Sequence, residues 1–284
     1  GVNQIASATG ARFAGTVDAT GAANDVSVTA ENTTGITSIS VAAAIAGTGG
    51  QIGFAGGGAG SGNIIAGATY AVADGATVSG ADDMTVRAVS EADIHAIVAS
   101  LAVAVTLGKA GGGVALGVAV ADNETTGVDR EIDGLPDDAG FVVAARVVDS
   151  DLRLDGTLAV TAQSTQSIRA DVVAASVAVA GAASFGLGAA GAGAVALNDG
   201  QAEVLAEVVA NSADDRLHAG AVEVSALNLS EIYAGVGSAS VAVGVAGKVG
   251  IAVSVGVALA HNRMDAVTSA RVAGFEADTL DVGG

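Results

Sequence analysis

Leu158-Ala159-Val160-Thr161-Ala162 alternates large and small residues with the period of a strand, and the same pattern occurs four times along the chain. It is seen earlier as Val26-Ser27-Val28-Thr29-Ala30 and Met84-Thr85-Val86-Arg87-Ala88, and later as Val222-Glu223-Val224-Ser225-Ala226. The steps between these markers are about 58, 74 and 64 residues. Beyond each marker an apolar stretch closes on an asparagine, at Asn63, Asn123, Asn198 and Asn262, and Asn3 fits one step earlier. Self-similarity at this period leads to the expectation of a slice from a longer repeat array rather than a pair of ordinary domains. The reading divides it into the tail of a preceding repeat (1–25) and four repeats, 26–83, 84–157, 158–221 and 222–284. The long second step is assigned to a loop insertion near 134–140, Gly134-Leu135-Pro136-Asp137-Asp138-Ala139-Gly140, whose residues are those of turns.

Within a repeat, five strand candidates follow one another. The marker is the first and has one wet face. The second and third are long and free of charge, as in Leu101, Val103, Val105, Leu107 and then Val114, Leu116, Val118, Val120, alternating with Ala, Gly and Thr. Lys109, Lys248 and the clusters Gly49-Gly50 and Gly111-Gly112-Gly113 stand between these two, so they read as a long hairpin. The fourth carries charges on alternate positions (Glu203, Leu205, Glu207, Val209), and the fifth adjoins Asp-rich turns. Because the second and third strands lack ionised residues, they are expected to be covered on both faces. Their Val/Leu face is expected to supply the apolar core, and their flat Ala/Gly/Ser face to meet another sheet of the same chain or of a neighbouring molecule. Corresponding strands of successive repeats are expected to pair in parallel. The fold class expected is all-β: an elongated β-solenoid of β-helix type with long Ala/Gly/Val-rich strands and about 64 residues per repeat, wound as one large coil or two or three smaller ones.

Composition agrees with a thin, close-packed interior. Aromatics are 2% of the chain, Gly numbers 42, Pro 1, and Cys and Trp are absent. Cohesion then rests on close backbone approach rather than on bulky side chains or disulfides. A formal net charge of −19 argues against nucleic acid and anionic membranes as partners. The uncharged stretches are long enough for a membrane helix, but their period is that of strands, and without aromatic girdles a membrane-spanning barrel is not expected either.

No nucleophile with a base emerges. His95, His218 and His261 occupy non-equivalent places in their repeats, and the glycine strings lack the strand, helix and acidic residue that a dinucleotide site needs. The chain therefore reads as no enzyme, with no catalytic residue and no cofactor assigned. Calcium is the one ligand with candidates, the aspartate pairs Asp137, Asp138 and Asp214, Asp215 at the edge of the array, set against the plainer role of a charged edge that keeps a sheet soluble.

The phrases Ala175-Ser176-Val177-Ala178-Val179-Ala180-Gly181, Gly191-Ala192-Gly193-Ala194-Val195-Ala196-Leu197-Asn198 and Gly256-Val257-Ala258-Leu259-Ala260-His261-Asn262 resemble repeats of very large bacterial surface proteins of the filamentous-adhesin type, including leukotoxin-like filamentous adhesins. The resemblance covers essentially the whole chain as composition and rhythm. It implies an extracellular or cell-surface fibre-like protein, and no catalytic residue carries over. The expected role is a structural segment of a filament or adhesin stalk, acting by rigidity and by lateral or end-to-end association. Its expected partners are copies of itself or further repeats, with surface glycans or neighbouring cells as targets. A polysaccharide-binding or polysaccharide-degrading β-helix module is the alternative.

Overall fold

A computed structural model of the chain describes residues 1–19, 24–128, 140–276 and 278–283. Among these residues every regular element is a strand. The strands group along the chain as the markers do. First come β1 (Val2–Phe13) and β2 (Thr16–Asp18), then β3 (Val26–Thr48), β4 (Ile52–Asp74) and β5 (Thr77–Ala81). The second unit holds β6 (Met84–Thr126), β7 (Val142–Val148) and β8 (Asp151–Leu154), and the third β9 (Thr157–Val209) and β10 (Arg216–Ala219). The last holds β11 (Ala221–Asn228), β12 (Glu231–Ala246), β13 (Val249–Ala273) and β14 (Leu280–Val282).

All pairing between strands is parallel, and it follows the register read from the sequence. Val26 lies beside Met84, Met84 beside Leu158 and Leu158 beside Val222. The asparagines form a second such row, Asn3–Asn63–Asn123–Asn198–Asn262. Each unit therefore pairs along its length with the next. A nine-stranded sheet carries the markers, the long strands and the charged fourth strands. A five-stranded sheet in the order β14-β10-β8-β5-β2 carries the fifth.

The expected hairpin differs in kind. The two long segments of a unit exchange no ladder hydrogen bonds with each other; β3 bonds to β6, and β4 bonds to β6, β7 and β1. They are two arms of an arch that face each other through side chains, while their backbone groups are satisfied by neighbouring units. In the second and third units the arms run on without a break, so β6 is 43 residues long and β9 is 53.

Two interiors result. At the base, where the small sheet closes the third side, Met84, Ile94, Phe141, Leu152, Leu154, Leu158 and Leu217 build a core of large, fully buried side chains. Towards the tip the arms approach each other as a thin blade whose interior is alanine: Ala102, Ala104, Ala115 and Ala178, with Ala96, Ala119, Ala170 and Ala194 nearer the base. A methyl group on Gly117 would sit 2.5 Å from the Ala175 carbonyl oxygen, and one on Gly188 2.6 Å from that of Val243. The backbones thus approach far closer than the ~10 Å of ordinary stacked sheets.

This reverses the expected depths. The Ala/Gly/Ser face is the inside of the blade, packed within the chain, and the Val/Leu face points outwards. Leu101, Leu107, Leu116 and Val118 are between 40% and 61% exposed in the second unit, which has paired neighbours on either side. The physical reason is the tip. Only Gly247 and Lys248 separate β12 from β13, and so short a connection holds the arms too close for two layers of valine and leucine.

The insertion near 134–140 lies, except for Gly140, outside the described residues. The described residues on either side pair with neighbouring positions of β4, Thr126 with Ala66 and Val142 with Ala68.

Candidate functional site

Residues that join unit to unit, and residues left on the outside, are what a repeat protein has to work with. The joining residues centre on the asparagine row. Asn3 Nδ2 donates to Asn63 Oδ1 at 2.8 Å, Asn63 to Asn123 at 2.7 Å, Asn123 to Asn198 at 2.8 Å and Asn198 to Asn262 at 2.9 Å. Asn63, Asn123 and Asn198 are fully buried. Their amides also reach across the arch: Asn63 Nδ2 donates to Ser38 Oγ at 3.0 Å, and Asn198 Nδ2 to the Tyr233 carbonyl at 3.0 Å. The ladder sits where the wide base core gives way to the alanine blade, so it fixes both the register along the array and the separation of the arms. An in-register amide ladder of this kind is a stabilising device of stacked parallel strands.

A second clamp is ionic. Glu207, 8% exposed, accepts from Arg146 Nε at 2.9 Å and from Arg271 Nε at 2.7 Å, binding the second, third and fourth units together. Around the mouth of the arch Asp171 Oδ2 accepts from Arg169 Nε at 2.8 Å and lies 3.3 Å from His95 Nε2. The hydrogen bond from Arg169 holds the Asp171 carboxyl below its ordinary range, partial burial opposes this, and His95 adds to the lowering. The same pair raises the guanidinium of Arg169, which also stacks 4.8 Å over the ring of Tyr233.

The outside of the blade is the other candidate. On the first arm Ile45, Val103, Val177 and Val241 form one outward row of β-branched residues, with Gly47, Val105, Val179 and Val243 in the next. On the second arm the rows are uneven. Val118 is flanked by Gly58 and Gly193, and Gly193 by Val257; the neighbouring row reads Gly56, Leu116, Gly191, Val255. In the second unit no charged residue occurs between Ala96 and Gly108 or between Ala110 and Ala121.

The calcium candidates are placed as follows. Asp137 and Asp138 lie outside the described residues. Asp215 is 7% exposed, and its Oδ2 accepts from the backbone N–H groups of Asn211 and Ser212 at 3.0 and 2.8 Å, closing the turn before β10. Asp214 is exposed, its N–H donating to Ser212 Oγ at 3.2 Å. Among the described residues no three acidic, histidine or cysteine side chains come together in a metal-binding group. His218 Nδ1 lies 2.9 Å from Asp281 at the solvent edge, in a shallow cleft of about 340 Å³ shared with Arg153 and Arg216, and His261 is exposed. Among the described residues no helix is long and apolar enough to cross a membrane.

Comparison with known proteins returned no match: no family, no curated protein and no solved structure resembles the chain closely enough to count.

The asparagine row was visible in the sequence as punctuation, but its role as a hydrogen-bonded ladder was not inferred there. The signal was present: an amide at the end of each uncharged run, 37 to 40 residues beyond the marker. The outward Val/Leu rows were misassigned for want of the arm separation.

Proposed function

We propose that this chain is a structural segment of an extracellular or cell-surface filament or adhesin stalk, wound as a β-solenoid with one coil per repeat. The observation that carries the reading is the unbroken asparagine ladder, which repeats one side-chain contact across every junction between units. Such a contact recurs without limit as units are added, and stability then sums over neighbours.

Dimensions sharpen the proposal. Four units at about 4.8 Å extend roughly 20 Å along the array, whereas a 23-residue arm such as β3 spans up to about 75 Å across it. A stalk therefore needs many such units in series, and rigidity comes from their number. The likeness to filamentous-adhesin repeats supports a surface location. Tandem fusions of two, four and eight copies, joined in register and imaged by electron microscopy, test the reading. Particles that lengthen by about 20 Å per copy at constant width are expected; beads of separate globules would overturn it.

A further inference from the structure

The second-arm face of the blade has a relief that selects an occupant. Its two central rows alternate ridge and groove from unit to unit. The second and fourth units raise Val118 and Val257, and the first and third present Gly58 and Gly193 at the same level. A β-carbon built on Gly58 or Gly193 meets nothing within 4 Å, so these are open hollows; in the next row Gly56 is equally open, while Leu116 leans over Gly191.

We infer that this face pairs with the same face of a second copy of the chain, ridge into groove. A two-fold axis lying between the faces and along the strands keeps each row at its own level and reverses the order of the units. The second unit then meets the third of the other copy, and the fourth meets the first. Val118 enters the hollow at Gly193 and Val257 the hollow at Gly58, and the reciprocal contacts follow from the symmetry. On the first arm the Ile45–Val103–Val177–Val241 row has no hollow, and in the next row, Gly47–Val105–Val179–Val243, the same axis sets valine against valine in the middle units.

Area and charge agree. Ten residues of strand by four units make about 600 Å² per copy, or about 1,200 Å² in all, the lower bound of a stable interface. The acidic residues that give the chain its charge of −19 are absent from the span Ala110–Ala121, so no like charges are brought together across it. The contact would grow with every added unit, which makes it a route to lateral bundling. This rests on the filament reading and specifies its lateral contact.

The test compares the chain with G58V/G193V. Valine at either position points into open space and suits a strand better than glycine, so the variant should melt no lower than the original. Sedimentation equilibrium should show the original chain dimerising and the variant dimerising at least tenfold more weakly. An unchanged dimer constant would overturn the pairing, as would an original chain that stays monomeric to 100 µM. Neither result touches elongation of tandem copies, which is read separately by microscopy. Flotation with neutral phosphatidylcholine vesicles supplies the remaining arm: a chain that floats and does not dimerise has lipid, not its own copy, on this face.

Discussion

The base and the blade of each unit are made by the same strands, yet they are held together in opposite ways. At the base Met84, Leu158 and Phe141 fill a wide space that the small sheet keeps open, and stability comes from buried apolar area. In the blade Ala104, Ala115 and Ala178 leave no space at all, and stability comes from the backbone ladders to neighbouring units and from close contact of small groups. A core of large side chains is sensitive to loss of volume. A core of alanine is sensitive to gain.

The largest effect that would break this comparison is charge inside the blade. Ala104→Glu places a carboxylate where no water or partner is within reach, and a loss of about 5 kcal/mol or more, seen as failure to fold, is expected in denaturant titration. Stability equal to the parent would mean the arms open freely. Next comes the pair that sets the regions against each other. Leu158→Ala at the base should cost about 3 kcal/mol by leaving a cavity, and Ala178→Leu in the blade about as much by forcing the arms apart. A blade that accepts leucine at no cost would dissolve the distinction.

At the boundary, Asn123→Ala removes one rung and leaves the amide of Asn63 and the oxygen of Asn198 without their partner. A loss of about 2–3 kcal/mol is expected, with faster amide exchange on both flanking units. Outside the blade, Leu101→Thr should change the monomer's stability by no more than about 1 kcal/mol, because that side chain is 40% exposed; a loss near that of Leu158→Ala would restore the buried assignment.

The smallest effect is at Asp171. Its carboxyl is held below the ordinary range in the folded chain, so its stabilising contribution is present above the pKa of an unperturbed aspartate and is lost as pH falls through the lower, folded value. Since the side chain is about one-third exposed, the effect is screened and small. Asp171→Asn should flatten slightly the acid limb of a stability–pH curve, and an unchanged limb would remove Asp171 from the account.

Much of the architecture was legible because a parallel array repeats its neighbours' identities in register. Val26, Met84, Leu158 and Val222 are alike since each must cover the same patch of base core, and the asparagines recur since each needs another amide beside it. Alternation with period two likewise marked the strands. The aspartate pairs were less informative, for acidic residues at an edge serve turns, solubility and metals alike, and at Asp215 the carboxylate closes a turn. Val118 and Gly193 reveal their relation only when the rows are aligned, since they lie in different units.

By itself the sequence determined the strands, their parallel partners and the row of asparagines, because these depend on spacing along the chain, and spacing is what a sequence records. Which face of each strand turned inwards was decided by the tertiary structure. Period two divides residues into two sets without saying which is inside, and hydrophobicity alone favoured the larger. The short connections at the tip brought the arms too close for valine and leucine, and the smaller set took the interior.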